Sequence, residues 1–218
     1  MIESLVVGPF AANCWIYARE VPSKEPGDCV VIDPGADAEI IISRLERLKL
    51  RPRYILLTHG HFDHIAALPA LAKAYQDSRP TIAIHRSDAA YLGVGALRIH
   101  RESFAAAAGN AAYVDAFSSD MPEADTLLDE GSVIGPFRVL HLPGHTPGSA
   151  AFYDQDAKIL FTGDTLFRSG YGRTDLPGGS LPQLRQSLQR LSAMDRDTGV
   201  YPGHEGTTTI GKEFNRGL

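Results

Sequence analysis

The sequence predicts an α/β fold in which two packed sheets carry helices on their outer sides, and three observations lead there. Short apolar runs of strand length open each half of the chain. Each half then passes into segments whose apolar residues recur with helical spacing. With 218 residues, 44% of them apolar and 22% charged, the chain is long enough to bury a sizeable core, and one domain over 1–218 is the expectation.

The elements follow in order. Ser4 to Val7, Asn13 to Ala18 and Cys29 to Ile32 are apolar runs separated by Gly8-Pro9 and by a charged turn with Pro22, Pro26 and Gly27, which reads as a β-meander. From Asp37 onward Ile40, Ile41, Leu45 and Leu48 keep helical spacing until Pro52 stops it. Arg53 to Thr58 is a short strand, and Ile65 to Tyr75 is an Ala- and Leu-rich helix with Pro69 near its start. Thr81 to His85 repeats the buried-strand pattern. Residues 93 to 124 break the rhythm with three glycines and an alanine run at 105 to 108. They are expected to be an inserted helical or loop segment, either a lid over a site or a surface excursion. The β pattern returns from Thr126, with a turn at Gly131 and strands at Phe137 to Leu142, Ser149 to Tyr153 and Lys158 to Phe161. Ser180-Leu181-Pro182-Gln183 has the S-x-x-Q form of a helix start and leads into Leu184, Leu188 and Leu191 on one face. Val200-Tyr201 is a last strand before Pro202-Gly203-His204.

Composition excludes several classes of function. A net charge of −5 with no basic cluster disfavours a protein that neutralises nucleic-acid phosphates. No run approaches the roughly 18 apolar residues of a membrane span. Glu3 stands where a secretory signal would carry positive charge, so no membrane or nucleic-acid partner is expected and the cytoplasm is the expected compartment. Cys14 and Cys29 sit beside apolar runs without C-x-x-C spacing, as buried free thiols do.

The chemistry concentrates in His59-Gly60-His61-Phe62-Asp63-His64, directly after the strand Tyr54 to Thr58. Such a His-x-His-x-Asp-His run arises by chance in about one sequence of this composition in a thousand. A loop leaving a strand aims several side chains into one space, and imidazoles with a carboxylate form the N/O set that divalent metals such as zinc prefer. Three further residues sit at strand ends beside glycine: His145 in Pro143-Gly144-His145, Asp164 in Thr162-Gly163-Asp164, and His204 in Pro202-Gly203-His204. His85, His100 and His141 lack a spaced partner and read as hydrogen-bonded or exposed side chains, with His100 in the irregular segment.

In number, type and order these seven residues resemble the metallo-β-lactamase superfamily, over essentially the whole chain. The resemblance implies a four-layer αββα sandwich with two divalent ions, zinc foremost and iron or manganese as alternatives. It implies His59, His61 and His145 on one ion, Asp63, His64 and His204 on the other, and Asp164 bridging. The stretch Gly163 to Arg173 is similar to the glyoxalase II branch, the hydroxyacylglutathione hydrolases. Arg173 to Gly179 and Tyr201 to Ile210 are closer to its short single-domain bacterial members, and Gly8 to Cys14 fits the same branch. Longer members carry a C-terminal helical domain that helps hold glutathione, whereas this chain runs only 14 residues past His204.

The activity implied is hydrolysis of a small-molecule thioester, such as a hydroxyacylglutathione, by a metal-bridging hydroxide. Asp63 would both ligate and orient that hydroxide. A thiol of pKa about 8.5 leaves without a proton donor, which suits a thioester better than a β-lactam. Arg173 is the candidate anchor for a substrate carboxylate, the alternative being a surface ion pair. Asp33 and Thr58 are candidates to accept the other ring N–H of ligating histidines. Persulfide dioxygenases of the same superfamily share a run like Gly172 to Asp175 and would use His59, His145 and Asp164 around one iron. Lactonase activity and a non-catalytic metal-binding domain are the remaining alternatives.

Overall fold

The structure is a computed structural model that describes residues 1–19, 26–117 and 121–215. Pro22 of the expected charged turn and residues 118–120 of the expected insertion lie outside the described residues. The chain divides into two compact units, one of residues 1–57, 61–84 and 90–127, the other of 58–60, 85–89 and 128–218.

The first unit is built on β1 (Ile2–Val7), β2 (Ala12–Tyr17), β3 (Gly27–Ile32), α1 (Ala38–Arg47) and β4 (Leu50–Leu57). It continues with α2 (Phe62–Ile65), α3 (Leu68–Ala74), β5 (Thr81–His85), α4 (Ala96–Ala108), α5 (Ala112–Asp115) and β6 (Thr126–Leu128); a 3-10 helix (Arg86–Tyr91) follows β5, with residues 86–89 belonging to the second unit. The six strands form one sheet in sequence order, antiparallel through β1, β2 and β3 and parallel through β3, β4 and β5. The expected meander is therefore present, and α1 supplies the crossover that a parallel pair requires. Ile41 and Leu45 of α1 are fully buried with Ile16, Val31 and Ile55 of the sheet, so the helical spacing read from Asp37 onward is the spacing of its core face.

Two expectations move. β4 begins at Leu50 rather than Arg53 and includes Pro52. The parallel register with β3 shifts there, from Cys29 opposite Pro52 to Val30 opposite Tyr54, so the proline occupies an irregular place in the ladder. The expected single helix from Ile65 is two helices, because α2 begins inside the histidine-rich run at Phe62 and α3 restarts with Pro69 in its first turn. The described part of the insertion carries two helices, with the alanine run forming the end of α4 before Gly109 in the left-handed conformation.

The second unit comprises β7 (Val133–Ile134), β8 (Phe137–His141), β9 (Ala150–Asp154), β10 (Ile159–Gly163), β11 (Leu166–Phe167) and β12 (Gly170–Tyr171). α6 (Leu181–Ser192), β13 (Gly199–Pro202), β14 (Thr208–Thr209) and α7 (Ile210–Phe214) complete it. Its six-stranded sheet runs β14-β13-β10-β9-β8-β7, again a meander followed by a parallel neighbour, β13, reached through a helix. Leu184, Leu188 and Leu191 of α6 pack on Leu140, Leu160 and Val200. Ser180 caps α6, accepting the Gln183 N–H at 3.5 Å. Cys14 and Cys29 are buried free thiols, as expected. Among the described residues, no helix is long and apolar enough to cross a membrane.

Candidate metal centre

In the second unit four ligand candidates arrive on four strand ends. His59 follows β4, and its Nδ1 lies 3.1 Å from Oγ1 of Thr58, the neighbour expected to support it. Thr58 is itself fixed, because its carbonyl accepts the Ala150 N–H at 2.8 Å and Gly163 crosses so close that a Cβ there would lie 2.2 Å from Oγ1. His145 sits in the loop after β8, Asp164 follows β10 and His204 follows β13. The His145 loop is braced by α6: Gly144 accepts the Ser180 N–H at 2.7 Å and Pro143 accepts the Ser187 hydroxyl at 2.7 Å. Its Nδ1 donates to the main-chain carbonyl of Arg173 at 2.7 Å, which leaves Nε2 with its lone pair.

These side chains converge. Nε2 of His145 and Nε2 of His204 each lie 3.5 Å from the same oxygen, Oδ2 of Asp164. That separation exceeds a hydrogen bond, whereas two donors each about 2.1 Å from one tetrahedral ion stand about 3.4 Å apart. The rings of His59 and His145 meet edge to face with centroids 4.8 Å apart. Three imidazoles and a carboxylate are the donors borderline divalent ions take, so the residues fit such a group.

In the first unit the run continues as His61, Asp63 and His64, the last two on α2. His64 is fully buried; its Nδ1 donates to Oδ2 of Asp33 at 3.3 Å and its Nε2 lies 3.6 Å from Oδ2 of Asp63. Asp33 thus accepts the ring N–H of His64, the contact expected of it, and holds the orientation of that ring. It takes a left-handed backbone (φ 52°) that turns the chain out of β3. Gly35, two residues on, passes so close to α2 that a Cβ would lie 1.8 Å from the Asp63 carbonyl, which is why this turn needs glycine. Phe62 points the other way, with its ring against His100, Phe104, Tyr113 and Phe117. The described part of the insertion is therefore packed on the motif helix.

Sequence reasoning missed several supports. Asp88, in the 3-10 helix after β5, is fully buried and accepts hydrogen bonds from the Gly60 N–H, the Gly148 N–H and the Thr146 hydroxyl at 2.9, 2.6 and 2.7 Å. Burial pushes its carboxyl up and those bonds pull it back. Only its place just past a strand end marked it. Glu213 of α7, also buried, accepts from Thr208 and from the Ser169 N–H. His85 and His141 have a partner after all, each other, stacked with centroids 3.8 Å apart and planes 13° apart. His100 lies on α4 of the insertion, buried and hydrogen-bonded as expected, with Nε2 donating to the Tyr91 carbonyl at 2.8 Å. Arg173 makes a two-pronged ion pair with Asp175, both bonds 2.7 Å, on a half-exposed surface.

A fold of two mixed sheets with ligands on strand-end loops defines a class, and the chain belongs to the metallo-beta-lactamase superfamily, whose family model matches residues 7–204. Its fold is the metallo-beta-lactamase fold, and the superfamily binds divalent metals. Among individual proteins the chain is similar to hydroxyacylglutathione hydrolase GloC of Haemophilus influenzae, at 34% identity over 97% of this chain and 94% of that one. Two solved structures match as fully. The BLEG-1 B3 metallo-beta-lactamase is 34% identical with a TM-score of 0.81, covering 99% of this chain and 97% of that one. TTHA1623 in a di-iron-bound form is 35% identical with a TM-score of 0.80, covering 97% and 96%.

Proposed function

We propose that this protein hydrolyses a small-molecule thioester of the hydroxyacylglutathione type, in the cytoplasm, with two divalent ions held by His59, His61, Asp63, His64, His145, Asp164 and His204. The observation that carries this reading is the approach of His145 and His204 to one oxygen of Asp164, the geometry expected of a bridging carboxylate. The near full-length similarity to GloC supports the substrate class, and the di-iron form of TTHA1623 supports iron beside zinc and manganese as occupants. When bound, such ions lower the pKa of a coordinated water toward about 7 and so supply hydroxide at neutral pH.

The chain's own residues do the rest. Asp63, one fifth exposed beside buried His64, accepts a hydrogen bond from the attacking water and orients it. Thr58, Asp33 and the Arg173 carbonyl fix the ring orientations of His59, His64 and His145 before substrate arrives. The leaving thiol, with a pKa of about 8.5, departs as thiolate, so no side chain has to deliver a proton to it. The Arg173 guanidinium, oriented by Asp175, is the anchor for a substrate carboxylate.

The test is thiol release from a lactoyl-glutathione thioester under anaerobic conditions, with protein of assayed metal content. Release at about two metals per chain is expected. Fully metallated protein that releases no thiol would refute the reading, and turnover that appears only with oxygen and a persulfide would replace it with the dioxygenase chemistry.

A further inference from the structure

We infer that Asp88 is a positioning residue for the ion bound by His59 and His145, clamping the two loops that carry them with one buried carboxylate. The inference rests on the two-ion reading above. Gly60 is the residue between His59 and His61, and Thr146 follows His145 directly. Oδ2 of Asp88 accepts from the Gly60 N–H and the Thr146 hydroxyl, and Oδ1 accepts from the Gly148 N–H. Each carboxylate oxygen therefore anchors main chain of a different ligand loop.

The surroundings leave the clamp little play. A Cβ on Gly148 would lie 2.5 Å from Cγ and Oδ1 of Asp88, so glycine is what lets the His145 loop close on the carboxylate. Ser149 completes the loop side: its Oγ accepts the Thr146 N–H at 3.0 Å and stands 2.8 Å from Thr146 Oγ1, whose own proton goes to Asp88. The hydrogen bonds that Asp88 accepts come from Gly60, Thr146 and Gly148, all in the loops of His59 and His145. The clamp should accordingly act on one ion and spare the other.

Asparagine has the size of aspartate but offers one acceptor oxygen. In D88N the amide NH2 must face the N–H of Gly60 or of Gly148, donor against donor, so one loop loses its main-chain anchor without a cavity forming. The test uses the full chain stripped of metal with a chelator and titrated with Co²⁺, read by visible absorbance and by competition with an indicator. Wild type is expected to take two equivalents. D88N is expected to hold one as wild type does and to bind the other about 10- to 100-fold more weakly. That pattern should match His145→Ala and differ from His204→Ala. T146V, which removes one donor of three, should weaken the same equivalent by less. Two equivalents bound by D88N as in wild type would overturn the inference. So would parallel weakening of both with a lower melting temperature of the metal-free protein, which would assign Asp88 to the fold at large. If D88N does not fold, T146V decides, and unchanged affinity there overturns the inference. If wild type takes a single ion, the two-ion reading fails on its own, and Asp88 stands or falls on whether D88N weakens that ion.

Discussion

Gly172→Ala should damage the metal centre although residue 172 offers no ligand atom. Its backbone φ lies in the ordinary range, so the conflict is purely steric: an added Cβ would lie 1.9 Å from the Asp164 carbonyl oxygen, 3.0 Å from its carbon and 3.2 Å from Nδ1 of His145. Carbon and oxygen do not approach within about 3 Å, so the main chain of Asp164 or of residue 172 must shift by about 1 Å. Overpacking against side chains costs about 1–3 kcal/mol, and backbone yields less readily, so about 3 kcal/mol is the expected loss. At about 2–4 °C per kcal/mol for a chain of this size, the melting temperature should fall by roughly 6–12 °C. The shift also displaces the carbonyl-to-carboxylate geometry of Asp164 and crowds the ring held by Arg173, so metal affinity should fall with stability. Gly170→Ala is the internal control, because a Cβ there meets nothing within 4 Å and the residue lies two positions earlier, in β12. Differential scanning fluorimetry of both variants with and without chelator decides it. A G172A protein that melts and binds metal as G170A does would refute the close-approach argument.

Three further outcomes are expected. Burial holds His100 at a pKa of about 4 against the ordinary 6.5, so as pH falls through that window the unfolded chain takes up a proton that the folded chain refuses. Folding stability contributed by this residue is therefore intact above pH 6.5 and is lost toward pH 4, by about 3 kcal/mol at the lower end. Denaturant unfolding of metal-free protein should lose less stability over that range in His100→Gln than in wild type, and equal slopes would sink the assignment. Arg173→Ala should raise KM for an anionic thioester about tenfold, or ~1.4 kcal/mol, with kcat little changed; an unchanged KM would leave the guanidinium as the surface partner of Asp175 alone. Burial pushes the Cys14 thiol far up and Cys29 up to about 12, so neither should react with a disulfide reagent in native protein, while both titrate after denaturation. Rapid modification of the folded chain would contradict the burial of β2 and β3.

What could be read from the sequence is the part of the molecule whose chemistry is carried by side-chain identity. The ligand candidates of the motif are covalent neighbours, and His145, Asp164 and His204 each stand beside glycine at the end of an apolar run, so pattern and residue type locate them without coordinates. Asp33 and Thr58 were legible for the same reason, as oxygen-bearing side chains one strand end away from histidines that need a partner. The meander that opens each half was legible from its short apolar runs, but Pro52 shows how a local rule yields to the sheet. A proline that breaks a helix was tolerated in a strand because the ladder slips by one residue at that point.

The illegible part is of another kind. His145 is oriented by the carbonyl of Arg173, and Gly60 by the carboxylate of Asp88, which lie 28 residues away from them in each case. A carbonyl is common to every residue and one aspartate among many carries no mark, so only the closed fold distinguishes them. The same holds for Gly35, Gly148, Gly163 and Gly172, whose contribution is the space a side chain would fill: 1.8 Å from Asp63, 2.5 Å from Asp88, 2.2 Å from Thr58 and 1.9 Å from Asp164. Each of the four lies against a candidate ligand or against a residue bonded to a ligand loop. The chemistry of the site is written in its histidines and carboxylates, and its precision depends on four missing methyl groups, so substitutions at these glycines should separate geometry from chemistry more cleanly than replacing any ligand.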